Sequence, residues 1–142
     1  MAYSTLADLT ARYGQALLVQ ISDRADAPTG EVDEALITQA IANADAVIDG
    51  FLLGRYQLPL ASTPGLVADW SQRIAIYKAH GQNVDQKISA DYDAAMRELG
   101  QVASGAIRLA IAGAEPTGSG AAGVIATDTE RVFTRDSMKG YI

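Results

Sequence analysis

The chain of 142 residues has no cysteine and a single histidine. The absence of cysteine excludes disulfides, thiolate nucleophiles and thiolate-bound zinc. No stretch approaches the roughly 18 uninterrupted apolar residues of a membrane span, and the opening MAYSTLADL lacks the basic and apolar regions of a signal peptide. A chain of this length is one ordinary domain with room for a real core. We therefore expect a single soluble, globular domain that is made in the cytoplasm.

Basic side chains are also scarce, since 11 Lys and Arg residues face 17 Asp and Glu residues and give a net charge of −6. The excess lies in residues 1–69, which hold nine acidic and three basic side chains. Tight binding to nucleic acid is not expected, because such binding depends on Lys and Arg displacing counterions. The last twelve residues reverse the trend with three basic groups and one acidic group. This basic end is either a docking segment or a solvated tail.

The first part of the chain predicts one or two short helices. Thr5 and Asp8 have the spacing of a capping box, and Gly14 is a natural stop for the helix that they open. The apolar run ALLVQI, residues 16–21, follows directly. It is too short for periodicity to distinguish a turn or two of helix from a strand.

Three longer amphipathic helices follow, with starts predicted at Asp33, near Gly65 and near Val84. Their apolar faces predict a common core of Leu36, Ile41, Val47, Ile48, Phe51, Trp70, Ile74, Tyr77, Ile88, Tyr92 and Leu99. The polar side of the first of them carries Thr38, Gln39, Asn43, Asp45 and Asp49. We therefore predict a mainly α fold, a compact bundle of three long and one or two short helices.

The C-terminal part has a different composition. Residues 113–123 are rich in glycine and alanine and predict a flexible linker, which sets the end of the bundle domain at residues 1–112. Residues 124–142 interleave β-branched and aromatic residues with polar ones. This segment predicts an extended arm that pairs, as a strand, with a neighbouring subunit or an adjoining ring.

No motif in the chain predicts chemistry. GSGAAG at 118–123 has the glycine spacing of a dinucleotide site, but it lacks the strand before it and the helix after it. Asp23 and Glu34 have the separation of a calcium loop, but Pro28 stands where that loop needs glycine. His80, at a predicted helix end, is expected to cap that helix. We predict no catalytic site, no cofactor and no metal, and hence a protein that is not an enzyme.

The stretch GRYQLPL, residues 54–60, ends the first long helix and admits two interpretations. In one, its leucines tuck under the helices, Tyr56 covers their edge and Pro59 stiffens the connection. In the other, it contacts another subunit. The interface candidates are Arg55, Tyr56, Leu58, Pro59 and Leu60 in this stretch, and Arg131, Val132, Phe133, Arg135, Met138, Lys139 and Tyr141 in the arm.

Four stretches together resemble a known family. They are the opening MAYSTLADLTARYG, the following apolar segment with its DR, the run ADAVIDGFLLGRYQLPL and the late FTRDSMKGY. The chain resembles the Mu-like tailed-phage family of head–tail connector, neck or adaptor proteins, except across the glycine- and alanine-rich linker. The resemblance implies a virion structural protein at the head–tail junction that forms a ring of about twelve subunits.

Such a ring would lie between the portal protein on one side and a tail or tail-completion protein on the other. It would continue the DNA channel without catalysis, without binding DNA specifically and without membrane contact. Two other classes stay open on the sequence alone. A small helical scaffolding or regulatory protein that binds a partner helix would be a monomer or dimer with an apolar groove. An enzyme built on the glycine-rich stretch would bind a nucleotide.

Overall fold

The structure is a computed structural model that describes residues 1–111, within which the chain is helical and has no strand. Its five helices are α1 (Leu6–Tyr13), α2 (Gln15–Ser22), α3 (Glu34–Leu52), α4 (Gly65–Ala79) and α5 (Gln86–Ser104). The three long helices α3, α4 and α5 pack on one another, and α1 lies across α3 and α4. The predicted mainly α bundle of three long and two short helices is confirmed.

Local capping defines the two short helices. The Thr5 hydroxyl accepts a hydrogen bond from the backbone N–H of Asp8, and the Asp8 carboxylate accepts one from the backbone N–H of Thr5, which completes the predicted capping box. Gly14, with φ of +85°, separates α1 from α2 by a conformation that other residues rarely adopt. The ambiguous run at 16–21 lies in α2 and is helical.

Aspartates begin two of the long helices. Asp33 caps α3 by accepting from the N–H of Leu36, as predicted. Asp85 caps α5 by accepting from the N–H of Lys87. The predicted start of α5 near Val84 is therefore slightly too early, because the Asp85 side chain fixes the first turn and leaves Val84 outside the helix, packed against the core.

The core lies between α3, α4 and α5. Six of the eleven predicted core residues are buried, namely Ile41, Ile48, Trp70, Ile74, Ile88 and Leu99. The other five pack against them while partly exposed, namely Leu36, Val47, Phe51, Tyr77 and Tyr92. Burying each large apolar side chain stabilises the fold by about 1.5–3 kcal/mol. This common core holds the three long helices together.

By length and hydropathy alone, α3 could cross a membrane, since it is 19 residues long with a mean hydropathy of 1.2. The core helix of a globular bundle meets the same criterion. In this fold, Ile37, Ala44, Ile48 and Leu52 of α3 have no exposed surface. Their burial against the other helices accounts for its apolar composition.

The predicted linker at 113–123 and arm at 124–142 lie outside the described residues, as does the boundary at residue 112. Their organisation stays a prediction. The described chain ends at Ile111, which is buried, and two residues earlier Leu109 bonds to Tyr56 in the loop that joins α3 to α4.

Candidate assembly interface

The loop between α3 and α4, residues 53–64, has a buried side and an exposed side. Tyr56 and Leu60 are 3% and 2% exposed, and Leu58 packs partly against the core. Pro59 and Leu53 point to solvent, and Leu53 is 70% exposed. Tyr56 and Leu60 therefore belong to the core of the helical bundle, as the packing interpretation of GRYQLPL expects.

Arg55, at the start of this loop, holds the end of α5. Its Nε donates a hydrogen bond of 3.0 Å to the carbonyl oxygen of Ala103, one of the last carbonyls of the helix that have no partner within it. The positive guanidinium also suits the negative end of the helix dipole. Arg55 thus ties the loop to α5, 48 residues further along the chain.

Gly105 makes room for that arginine. It ends α5 with φ of +87°, the left-handed conformation that favours glycine. A Cβ at this position would lie 2.3 Å from Nη1 of Arg55. The guanidinium therefore lies directly over the Gly105 backbone, and a side chain here would displace it.

Tyr56 holds the chain after α5. Its hydroxyl accepts a hydrogen bond of 2.9 Å from the backbone N–H of Leu109, in a buried position. Leu109 and Ile111 are 6% and 7% exposed, so the segment after α5 packs into the core beside the loop. We call the contacts of Arg55 with Ala103 and of Tyr56 with Leu109 the C-terminal anchor.

The two groups of predicted interface residues differ in how much the structure reveals. In the loop, Pro59 is exposed, Arg55 and Leu58 are partly exposed, and Tyr56 and Leu60 are buried. The arm residues lie beyond residue 111, outside the described residues. These are Arg131, Val132, Phe133, Arg135, Met138, Lys139 and Tyr141. Contact of either group with another protein stays a prediction.

The opposite end of the bundle has its own arginine anchor. Nη2 of Arg24 donates to the carbonyl oxygen of Ala79 at the end of α4. The Nδ1 of His80 lies 2.7 Å from the carbonyl oxygen of Ile76, which places the histidine at the helix end where capping was predicted. Asp23 accepts a hydrogen bond from the N–H of Gly30. Residues 1–111 contain no group of three metal-ligating side chains.

The two ends of the bundle carry opposite charge. We define the anchored end as residues 53–65 with 103–111, which contain Arg55, Arg108 and no acidic residue, a net charge of +2. We define the acidic end as residues 23–34 with 80–87, which contain six acidic and two basic side chains, a net charge of −4. Helix α4 runs from one to the other over about 22 Å, at 1.5 Å per residue.

A buried carboxylate joins the N-terminal segment to the bundle. Asp45 is 7% exposed and accepts hydrogen bonds from the backbone N–H of Tyr3, at 3.1 Å, and from the hydroxyl of Ser71, at 2.8 Å. The Tyr3 hydroxyl also hydrogen-bonds Asp49. Burial raises the pKa of the Asp45 carboxyl above its ordinary value, although both hydrogen bonds oppose the shift. The prediction that Asp45 lies on the polar side of its helix is therefore wrong.

An ionic cluster on the flank of the bundle links three helices. Asp69 of α4 pairs with Arg12 of α1 and with Arg73 of its own helix. Arg73 also pairs with Glu98 of α5, and Glu98 accepts a hydrogen bond of 2.6 Å from the indole N–H of Trp70. These carboxylates serve the packing of the bundle, and nothing in their arrangement places a nucleophile beside a base.

Residues 1–111 thus form a small five-helix protein in which the loop between α3 and α4 is tied to the chain after α5. Residues 3–127 match the family described as Bacteriophage Mu, Gp36. The protein is also 31% identical over 140 residues to the Mu-like prophage FluMu protein gp36 of Haemophilus influenzae, an alignment that covers 99% of this chain and 98% of that relative. It is 36% identical over 105 residues to gene product J of Escherichia phage Mu, with 74% of each chain covered.

The chain therefore belongs to the Bacteriophage Mu Gp36 family and is a Mu-like phage protein. This membership confirms the phage origin that the sequence resemblance implies. The family match extends from the N-terminal segment, through all five helices, to 16 residues beyond the last described position. The C-terminal anchor lies wholly within it.

Proposed function

We propose that this protein is a structural component of the virion that forms a ring at the head–tail junction. The ring, of about twelve subunits in cyclic symmetry, joins the portal on one side to a tail or tail-completion protein on the other. It continues the DNA channel and acts by shape and surface, with no catalysis and no cofactor.

The observation that carries the proposal is the difference between the two ends of the bundle. A connector must bind two different partners on opposite sides. The anchored end has a net charge of +2, whereas the acidic end has a net charge of −4. Opposite charges favour different partners and disfavour a reversed orientation, because like charges brought together cost free energy.

The charge balance also supports passive contact with DNA. Residues 1–111 carry 13 acidic and 8 basic side chains, a net charge of −5. Acidic groups that line a channel repel the DNA backbone and allow it to slide. We therefore expect the isolated protein not to retain duplex DNA at physiological salt, and strong, salt-sensitive retention would contradict this part of the proposal.

Deleting the gene from the phage tests the proposed function. We expect filled heads and complete tails to accumulate unjoined in electron micrographs, and a copy of the gene supplied in trans to restore joined particles. Normal joining in the deletion strain would refute a connector role. Loss of heads or of tails themselves would assign the protein to an earlier step.

A further inference from the structure

The N-terminal segment and the two short helices, residues 1–22, are tied to the long helices through side chains. Within residues 1–111, no hydrogen bond joins a backbone group of residues 1–22 to a backbone group of α3, α4 or α5. At the surface, Arg12 pairs with Asp69, a partly exposed ion pair of the kind that contributes little to stability. We call residues 1–22 the strap. Its contacts with the long helices can break without breaking the backbone bonds of any helix.

A buried polar seam lies between the strap and two of the long helices. The hydroxyl oxygens of Ser4 and Ser71 are 2.8 Å apart, and Ser71 donates a hydrogen bond to Asp45. The other carboxylate oxygen of Asp45 accepts the backbone N–H of Tyr3. Burying a carboxylate costs free energy that its hydrogen bonds return only in part. Burial also raises the pKa of the Asp45 carboxyl despite these bonds. The seam therefore holds the strap less firmly than an apolar contact of the same size.

The apolar core is formed mostly without the strap. The strap supplies three of the buried apolar side chains in the described part of the chain, namely Tyr3, Leu9 and Leu18. The others come from residues 37–111, chiefly from α3, α4 and α5, which pack directly on one another. Leu9 and Leu18 favour the closed position of the strap, because they have no exposed surface there. The three long helices nevertheless keep an apolar interior of their own when the strap is away.

The loop between α2 and α3, residues 23–33, provides a hinge for the strap. Its residues 24–31 are exposed, so their backbone can rotate without disturbing the core. Arg24, at the start of this loop, is bonded to the carbonyl oxygen of Ala79 at the end of α4. This bond keeps the hinge at one end of the bundle.

We propose that the strap opens as one unit from the core of α3, α4 and α5, pivoting on residues 23–33, and that the buried Asp45 carboxylate is the catch that holds it closed. The structure records the closed form. In the open form, the three long helices stay packed, and the surface of α3 and α4 around Asp45 and Ser71 meets solvent. The two forms differ by a local opening and not by global unfolding. This inference does not depend on the proposed function.

Thiol labelling of the full chain tests the opening, because the chain has no cysteine of its own. Ser4→Cys and Leu18→Cys each place one thiol at a buried position of the strap, and the control Ala95→Cys places one at a buried position of α5. N-ethylmaleimide is the probe. Each labelling rate is compared with the rate that global unfolding of the same variant, measured in urea, would allow.

We expect both strap thiols to be labelled at least about tenfold faster than global unfolding allows, and the Ala95→Cys thiol to be labelled at that limit. Labelling of the strap thiols should also depend less on urea, because opening the strap exposes less surface than global unfolding. If all three thiols are labelled at the limit, or all three alike, the strap does not open by itself. If only Ser4→Cys exceeds the limit, the chain end frays alone and the single unit is refuted.

A core substitution added to Ser4→Cys shows whether the long helices stay packed in the open form. Val102 has no exposed surface in α5, and Val102→Ala weakens packing that the closed and open forms share. We expect it to lower the global free energy of unfolding while the labelling rate of Ser4→Cys stays within about twofold. If labelling accelerates as much as global unfolding does, the strap opens only when the whole bundle unfolds, and the inference is overturned.

Asp45→Ala, also added to Ser4→Cys, tests the catch. It leaves the N–H of Tyr3 and the hydroxyl of Ser71 without their acceptor, so we expect labelling to accelerate by about tenfold. The control Asp93→Ala removes an exposed carboxylate of α5 and should change the rate by less than about twofold. If Asp45→Ala is labelled no faster than Asp93→Ala, or if circular dichroism shows that it does not fold, Asp45 is not the catch.

Discussion

Tyr56→Phe tests the C-terminal anchor by removing one atom. The hydroxyl accepts the N–H of Leu109 at 2.9 Å, and the two residues are 3% and 6% exposed, so water cannot readily replace it. A buried amide left without a partner costs about 1–3 kcal/mol. This loss corresponds to a rise of roughly 5- to 150-fold in the opening equilibrium of the segment. Hydrogen exchange at the Leu109 amide measures local opening, and urea denaturation measures the global free energy of unfolding.

Tyr92→Phe is the matched control. Tyr92 stacks on Tyr77 with ring centroids 4.0 Å apart, a contact that phenylalanine retains. Its hydroxyl makes no hydrogen bond to any part of the chain that the structure describes, so we expect a change below about 0.5 kcal/mol. If Tyr56→Phe and Tyr92→Phe leave the exchange of Leu109 equally slow, the hydroxyl does not hold the chain end and the anchor is refuted.

Three further changes test the core, the helix end and the buried carboxylate. Trp70→Ala should destabilise the fold by about 3–5 kcal/mol, because its fully buried ring leaves a cavity and Glu98 loses a partner; a variant that resists urea like the parent would contradict this. Gly105→Ala should cost about 1 kcal/mol or more in left-handed backbone strain and displace Arg55, which a lowered melting temperature would show. Asp45→Asn should remove one pH-dependent contribution to stability. Burial raises the pKa of the Asp45 carboxyl in the folded protein above its value in the unfolded chain, so the folded state binds the proton more tightly. The stabilisation that this proton gives to the folded state is therefore lost as the pH rises from the pKa of the unfolded chain to that of the folded protein. Between those two pKa values, the free energy of unfolding of the parent should fall with rising pH relative to that of Asp45→Asn. A difference between the two proteins that does not change with pH would refute the raised pKa of Asp45.

Local sequence signals predict the helices well, because their causes lie within a few residues. Thr5 and Asp8 are three positions apart, and the Asp33 cap acts on Leu36. The apolar stripes of α3, α4 and α5 follow helical spacing and predict their packing. The run at 16–21 was ambiguous because six residues contain too few turns to distinguish the period of a helix from that of a strand.

Contacts between distant segments could not be predicted in the same way. Asp45 has the spacing of a polar surface residue, yet Tyr3 and Ser71, 42 and 26 positions away, make it a buried acceptor. The GRYQLPL stretch signalled a special loop, but nothing within it pointed to Ala103 or Leu109. Gly105 was missed, although a glycine directly after a helix is a local signal for a left-handed helix end.

The most direct test of the connector role is an electron cryomicroscopy reconstruction of the head–tail junction of the phage that encodes this chain. We predict a ring of five-helix bundles between the portal and the first tail ring. The anchored end should face one neighbour, the acidic end should face the other, and the chain after Ile111 should continue into density beside the α3–α4 loop. A junction resolved without this chain would contradict the account.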